Sequence, residues 1–253
     1  MIRKNLVRSF PGIDDREVRR ITKDFYRNFA DVFLETFKLL SIPGGELVKR
    51  VNIKNLEMLN DRLARGQSLL ALTSHYCNWE WLLAACSLRL HYPPDAIYLR
   101  VKNPFFEKLM LKIRSRFGAY MIEKKYILSE ANKRRDKVRV IAMVADQAPA
   151  WDRSVKWIRF LNQDTPFLNG PERISRILNL PVIYCKMNRT SRGYYELEFF
   201  EIVPEPGGPG KDEVTERFGS ILEETIKNYP PNWLWSHNRW KRARPVEENP
   251  VTA

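Results

Sequence analysis

Residues 69–81 read Leu69-Leu70-Ala71-Leu72-Thr73-Ser74-His75-Tyr76-Cys77-Asn78-Trp79-Glu80-Trp81, an apolar run, a polar break and a second apolar run. The first run is typical of a buried strand. The second predicts a helix that begins at Trp79, with Asn78 as its N-cap. We therefore expect His75 at the carboxyl end of a strand and Glu80 in the first turn of the next helix.

His75 and Glu80 together suggest general-base chemistry. A carboxylate at this spacing can hydrogen-bond one ring nitrogen of the histidine, which fixes its tautomer and leaves the other nitrogen free to take a substrate proton. The alternative is a structural histidine at a strand end, because a histidine and a glutamate five positions apart occur by chance in many chains.

The whole chain is strongly basic. Its 253 residues include 43 Lys or Arg and 30 Asp or Glu, a net charge of +13, which predicts acidic partners: nucleic acid, anionic lipid or an acidic carrier protein. The three cysteines lack metal-ligand spacing, so we expect a reduced compartment without structural disulfides or a zinc site. The sequence contains no apolar run of about 18 residues, so it predicts no membrane span.

The pattern along the chain predicts an α/β fold in one domain. Helical spacing of apolar residues predicts a long amphipathic helix from Asp14 to Leu40 and a second helix from Glu46 to Arg65. Strands and helices then alternate, which favours a mixed, mostly parallel central sheet with helices on both faces. The domain would span residues 1–253, with an N-terminal helical part at 1–66, a catalytic core at 67–245 and a flexible tail at 246–253.

Four further strands are predicted at residues 96–100, 137–145, 180–187 and 193–203, the last two as a hairpin. Further helices are expected at residues 103–118 and 212–229. Asp146 and Gln147 directly follow one of these strands, at the edge of the sheet where open α/β sheets bind ligands. They are candidate site residues, and the alternative for Asp146 is a turn-capping residue before Pro149.

A basic cluster ends the helix that starts at Asn103. Lys112, Arg114 and Arg116 lie within five residues, and their mutual repulsion favours a nearby anion. Either Arg114 or Arg116 binds a phosphate, or the cluster is a basic helix end favoured by the helix dipole.

These motifs resemble one family. The string from Ser74 to Glu80 is similar to the His-x4-Asp/Glu signature of the glycerolipid acyltransferase superfamily, and its Asn-Trp-Glu ending resembles the lauroyl/myristoyl acyltransferases of lipid A assembly. That family usually has glycine at the position of Cys77. Further blocks resemble the family in the same order: residues 3–11 and 25–31, Asn103-Pro104 with Arg114 and Arg116, Asp146-Gln147, residues 160–173, and Trp233-Leu234-Trp235-Ser236-His237-Asn238-Arg239-Trp240-Lys241.

The resemblance implies an acyltransferase without a covalent acyl-enzyme. His75, oriented by Glu80, would take the proton of an acceptor hydroxyl as that oxygen attacks an acyl thioester. Cys77 is then not a nucleophile, and neither a metal nor a cofactor is implied. Substrate-binding roles are implied for Asn78, Arg114, Arg116, Asp146, Gln147, Gly170 and Arg173, with His237 as a further candidate.

The resemblance also implies partners. The donor would be a thioester of acyl carrier protein or coenzyme A, and the acceptor a membrane lipid, in particular a lipid A precursor. The protein would act peripherally on the anionic cytoplasmic face of the bacterial inner membrane, since the membrane helix usual in the family is absent from this sequence. We expect the segment Asn103–Gly118, where cations alternate with apolar residues, to face the membrane.

Three other functions are compatible with the sequence. The same chemistry could use a glycerolipid or aminolipid acceptor, and a non-catalytic protein could bind membranes or carrier proteins. A nucleic-acid-binding protein would explain the charge and the aromatic residues, but no groove-reading helix or RNA-binding signature is present.

Overall fold

The structure is a computed structural model that describes residues 1–150, 154–205 and 213–244. The helices of these ranges are α1 (Ile2–Ser9), α2 (Asp15–Lys38), α3 (Gly44–Arg50), α4 (Leu56–Ala64), α5 (Trp79–Arg89), α6 (Pro104–Ser115), α7 (Ile127–Lys133), α8 (Gly170–Leu178) and α9 (Val214–Asn228). The strands are β1 (Val51–Ile53), β2 (Leu69–Thr73), β3 (Asp95–Tyr98), β4 (Tyr120–Glu123), β5 (Val140–Val144), β6 (Val155–Phe160), β7 (Gln163–Leu168), β8 (Val182–Ser191) and β9 (Tyr194–Val203). The predicted tail at 246–253 lies outside the described residues.

The central sheet has the strand order β1-β9-β8-β2-β5-β3-β4. Strands β8, β2, β5, β3 and β4 are parallel, whereas β9 is antiparallel to β8 and parallel to β1. Every residue of β2 is buried, as its continuous apolar sequence predicts for a central parallel strand. The predicted mixed, mostly parallel sheet with helices packed on it is confirmed, and β6 and β7 form a separate antiparallel hairpin.

The register of β2 and β5 decides where the site forms. Thr73 pairs with Val144, and the backbone N–H of Ala145 donates to the carbonyl oxygen of Thr73 at 3.0 Å. Two residues beyond this last pair, β2 leads to His75 and β5 leads to Asp146. Because the strands are parallel and in register, these side chains emerge side by side at the carboxyl edge of the sheet.

Two helices frame that edge, and their caps follow the sequence. Asp14 caps α2 by accepting from the backbone N–H of Glu17 at 2.7 Å, and Asn78 caps α5 by accepting from that of Trp81 at 2.9 Å. The predicted cap of α5 is thus confirmed. In the described part of the chain, no helix is both long and apolar enough to cross a membrane.

The predicted helix from Glu46 to Arg65 is wrong. It is interrupted by β1, whose residues pair in parallel with Tyr195–Leu197 at the edge of the sheet. Val51 and Ile53 are buried on the sheet side, while Asn52 between them is exposed. The β-branched pair gains more from completing the sheet than from a helix, which is a tertiary effect that local spacing does not reveal.

A buried ion cluster holds the opposite, amino edge of the sheet. Asp95, fully buried at the start of β3, accepts from Nε and Nη2 of Arg134 at 3.0 and 2.8 Å and lies 3.5 Å from Nε of Arg139. A buried guanidinium that loses its carboxylate keeps the cost of desolvation without the compensating attraction.

We therefore expect Asp95→Ala to lower the free energy of unfolding by about 3–5 kcal/mol, the usual loss for a broken buried ion pair. Asp136→Ala is the control, because that side chain is 91% exposed and should change stability by less than about 0.5 kcal/mol. Urea unfolding of the three proteins measures both values. Equal midpoints for Asp95→Ala and the unmodified protein would contradict the prediction.

Candidate active site

His75 and Asp146 form the centre of the site. The ring Nδ1 of His75 lies 2.7 Å from Oδ1 of Asp146, and the backbone N–H of His75 donates to Oδ2 at 3.1 Å. Asp146 is buried, while the side chain of His75 remains 18% exposed. An ionised carboxylate can only accept, so Nδ1 must carry the proton, and Nε2 of the neutral ring is left with the free lone pair.

The charge of Asp146 is stabilised from three directions. Burial alone would raise the pKa of this carboxyl, but the His75 ring, the backbone N–H of His75 and the indole N–H of Trp233, at 2.8 Å, together lower it. The resulting stabilisation is present above about pH 4, the ordinary value for aspartate, and is lost as the pH falls through the lowered native pKa. Asp146 is therefore an ionised acceptor at neutral pH.

The carboxyl-terminal segment holds the His75 loop through its backbone. The N–H of Cys77 donates to the carbonyl oxygen of Asn232 at 2.9 Å, and that of Leu234 donates to the carbonyl oxygen of His75 at 3.1 Å. These bonds form a short antiparallel bridge between Tyr76 and Trp233. The Trp-x-Trp-x-His motif thus positions the His75 loop from the far end of the chain.

The free side of the His75 ring is bordered by two residues. The amide nitrogen of Gln147 lies 3.3 Å from Nε2, and the ring of Trp79 packs edge-on against the imidazole with centroids 4.9 Å apart. Gln147 is exposed, so its amide occupies a place that a substrate hydroxyl can take. The sequence predicts Gln147 at the carboxyl edge of a strand, and the structure places it there beside His75. Its substrate contact stays a prediction.

The structure corrects the predicted partner of His75. Glu80 is buried and turns towards α6, where its two oxygens accept from Nε and Nη2 of Arg114 at 2.9 and 2.6 Å. Burial alone would lower the pKa of Arg114, but pairing with Glu80 raises it. The orienting carboxylate comes from the neighbouring strand, because strand register, not spacing along the chain, brings Asp146 to the ring.

Arg114 and Arg116 are both engaged within the protein. Arg114 uses its Nε and Nη2 on Glu80, while Nη1 of Arg116 donates to the carbonyl oxygens of Leu39 and, at 2.7 Å, Ile42. Arg116 thus holds the end of α2, which gives it a structural role. The predicted phosphate contacts of these two arginines stay predictions.

Asn78 has a structural role instead of the implied substrate-binding one. It is fully buried, its Oδ1 accepts from the N–H of Trp81, and its Nδ2 donates to Oε2 of Glu35 at 2.7 Å. Glu35 also accepts from the hydroxyl of Tyr195 at 2.7 Å. Both ends of the Asn78 amide are therefore satisfied by the protein, which corrects the substrate-binding assignment.

The remaining candidates lie around the same edge. Gly170 is the first residue of α8, and Arg173 follows on its exposed side. Nε2 of His237 accepts from the backbone N–H of Ala148 at 2.9 Å, and burial lowers the pKa of this histidine, so it supports the loop after Asp146 as a neutral ring. The substrate contacts implied for Gly170 and Arg173 stay predictions.

Cys77 adopts the backbone shape that glycine favours. Its φ is +56°, in the left-handed region, where a side chain costs about 1–2 kcal/mol. The departure from the glycine of the family therefore leaves the loop conformation intact. Burial raises the pKa of the Cys77 thiol well above its usual range, which supports the prediction that it is not a nucleophile.

A narrow crevice runs inward from His75. It has about 300 Å³ of empty space including its open mouth, and α2 supplies one wall with Phe25, Phe29 and Val32. Phe29 is 37% exposed at the entrance, whereas Phe25 and Val32 are buried. Among the described residues, no group of three His, Cys, Asp or Glu side chains could hold a metal ion. The crevice is lined mainly by apolar and aromatic side chains, with Asn28, Arg189 and Asn232 among them, and it opens at His75.

The ion pair between Glu80 and Arg114 generates a stability prediction. Glu80→Gln should lower the free energy of unfolding by about 3–5 kcal/mol, because a buried guanidinium loses its charge partner. Adding Arg114→Gln should recover part of that loss, since the two effects are coupled. Glu57→Gln, at an exposed position on α4, is the matched control. Chemical denaturation that finds Glu80→Gln as stable as the control would contradict the assignment.

Known proteins are similar to this chain over most of its length. Residues 1–242 match the family model described as bacterial lipid A biosynthesis acyltransferase. A lipid A biosynthesis palmitoleoyltransferase of Escherichia coli K12 is 24% identical over 249 residues, which cover 98% of this chain and 79% of the relative. A lipid A biosynthesis acyltransferase of Shigella flexneri has the same identity and coverage. Since the family model covers nearly the whole chain, the protein belongs to the bacterial lipid A biosynthesis acyltransferases.

Proposed function

We propose that this acyltransferase moves a fatty acyl chain from a thioester, on acyl carrier protein or coenzyme A, to a hydroxyl of a lipid A precursor, with His75 as the general base. The observation that carries the proposal is the 2.7 Å contact between Nδ1 of His75 and buried Asp146, which leaves Nε2 open at the mouth of an apolar crevice. The family membership and the names of the relatives support the lipid A precursor as acceptor.

The proposed reaction is a direct transfer. Nε2 of His75 takes the proton of the acceptor hydroxyl while that oxygen attacks the thioester carbonyl, and Asp146 stabilises the imidazolium that forms. The carbon–sulfur bond then breaks, and the leaving thiolate recovers the proton from Nε2. The acceptor would displace the Gln147 amide, which lies beside Nε2 in the structure.

The crevice beside His75 is where the acyl chain of the donor would enter. Its α2 wall combines Phe25, Phe29 and Val32 with Asn28, and its interior has room for about one water molecule, so these side chains would have to move apart to admit the chain. Holding two reactants in position can contribute several kcal/mol to catalysis, about 7–11 in the best cases. We infer that α2 binds the donor chain, while the pair of Glu80 and Arg114 fixes α5 against α6 beneath the loop of His75.

His75→Ala should lower kcat by about 10²–10⁴-fold, the usual contribution of a positioned general base. Asp146→Asn should also lose most of the activity, because an amide cannot stabilise the imidazolium by charge. His91→Ala serves as the control, since His91 is exposed and lies beyond the end of α5. Purified proteins are incubated with an acyl thioester and a lipid A precursor, and the acylated lipid is quantified by mass spectrometry.

Several outcomes of this assay would redirect the proposal. Turnover at the unmodified rate in His75→Ala would exclude this base. A glycerolipid or aminolipid consumed faster than the lipid A precursor would change the acceptor but keep the mechanism. Thioester that remains intact with every acceptor would favour the non-catalytic binder.

A membrane face is proposed at the start of α6. Leu99, Phe105 and Phe106 are 77%, 69% and 49% exposed, and exposed Lys108 and Lys112 follow on the same helix. Apolar side chains that can enter lipid, beside cations that can bind head-group phosphates, are typical of interfacial helices. Ile113, expected to contribute to this surface, is buried in the core. Because β3 leads into this segment, it lies at the same sheet edge as His75.

Lys108→Glu with Lys112→Glu should weaken binding to anionic vesicles and raise the apparent KM for the lipid acceptor, because both depend on attraction to head-group charge. The control carries the same charge change at two exposed positions elsewhere, Lys49→Glu with Arg65→Glu. Vesicle sedimentation at low and high salt measures the binding. Unchanged sedimentation in the α6 variant would identify α6 as an ordinary solvated helix.

A further inference from the structure

The first two helices carry a concentrated positive charge. Residues 1–30 contain eight Lys or Arg side chains and four Asp or Glu side chains. The four acids are all used locally: Asp14 caps α2, and the other three pair with arginines of the same region, namely Asp15 with Arg3, Glu17 with Arg20, and Asp24 with Arg20 and Arg27. Five exposed cations have no acidic partner among the described residues, namely Lys4, Arg8, Arg16, Arg19 and Lys23.

A groove runs between these helices. Arg3 of α1 and Arg19 and Lys23 of α2 line it, with Asp15 and the small polar Thr22 between them. It has about 690 Å³ of empty space including its open side. Arg16, Arg19 and Lys23 of α2 follow one another at spacings of three and four residues, so they share one face of the helix. We call this surface the α1–α2 groove.

The same two helices build the active site on their other sides. Nδ2 of Asn5 on α1 donates to the carbonyl oxygens of Trp235 and His237 at 2.9 and 3.0 Å, on the segment that positions Asp146. Phe29 of α2 stands at the mouth of the crevice, and Lys23 precedes it by about 9 Å along the helix at a rise of 1.5 Å per residue. A molecule bound in the groove therefore contacts α2 less than two helical turns before the residue at the crevice, on a neighbouring face of the helix.

The shape and composition of the groove favour a protein over a lipid surface. Membrane contact requires exposed apolar side chains beside the cations, as at Phe105 and Phe106, whereas the only apolar side chain of the described residues that lines the groove, Val18, is buried. The exposed apolar residues Phe29, Phe33 and Leu34 lie further along α2. A bilayer surface is also flat on the scale of two helices and cannot fill a groove between them. An acidic helix of another protein is convex and carries the opposite charge.

We propose that the α1–α2 groove docks an acidic carrier protein that brings the acyl thioester to His75. The inference rests on the proposed function, because it names the partner that delivers the donor. Docking by charge would raise the association rate and the affinity for the carrier at low salt, without changing the chemical step. Arg19 and Lys23 would contact the carrier, and the acyl chain would pass Phe29 into the crevice.

The test compares two donors that carry the same acyl chain, acyl carrier protein and N-acetylcysteamine, a small neutral thiol. In Arg19→Glu with Lys23→Glu, the KM for the carrier-bound donor should rise about tenfold or more at low salt, because two attractive charges become repulsive. kcat, and all constants for the neutral donor, should stay at their unmodified values. Lys49→Glu with Arg65→Glu is the control of equal charge change.

The outcomes separate this inference from the proposed function. An unchanged KM for the carrier would overturn the docking surface, as would equal losses with both donors. Weaker vesicle sedimentation, with a higher acceptor KM for either donor, would assign the groove to the membrane and overturn the inference. If the unmodified enzyme uses the neutral thioester but not the carrier, only the inference fails. If it uses neither of these donors nor the coenzyme A thioester of the same chain, the proposed function itself fails.

Discussion

The carboxylate of Asp146 accepts three hydrogen bonds, and the organisation of the site depends on them. They come from the ring and the backbone of His75 on the β2 loop and from the indole of Trp233 near the carboxyl terminus. A buried carboxylate is tolerated only when its acceptor sites are filled, so these donors must be present together. One charge thus joins β2, β5 and the carboxyl-terminal segment, and it fixes the tautomer that leaves Nε2 of His75 free.

The two acids near the base have separate tasks. Asp146 holds the imidazole, while Glu80 holds Arg114 and so ties α5 to α6. Trp79 connects them, because its ring packs against His75 and its indole N–H donates to Glu80 at 3.2 Å. The motif that places a glutamate five residues after the histidine therefore acts on His75 through packing and helix position, not through a direct bond to the ring.

The local sequence pattern is sufficient to predict the helices and strands around the site, but not the contacts between them. The buried run of β2, the cap at Asn78 and the helix after it depend on neighbouring residues, and these were predicted from the sequence. The partner of His75 depends on the register of β2 with β5, a contact over 71 residues that spacing cannot specify. Asp146 and Gln147 were placed at the correct sheet edge, yet only the register shows that Asp146 reaches the ring. The donor role of Trp233 is not visible in the sequence, because it requires a fold that returns the carboxyl-terminal segment to the sheet edge.

The cations of the protein differ in whether a buried acid neutralises them. Arg114 and Arg134 pair with buried acids, as does Arg189, which donates to Asp31 at 2.6 Å, so these cations add little to the outer field. Arg239 has no such acid partner. It is buried over the ring of Phe167, and its Nε and Nη1 have no hydrogen-bond partner among the described residues. Burial lowers the pKa of Arg239 to about 9, and the charge of Asp146 opposes that shift. A buried cation without a direct acid partner is costly, and the nearby charge of Asp146 offsets part of that cost. Since a paired cation and acid cancel, the excess positive charge is carried by other side chains, among them the exposed cations of α1, α2 and α6.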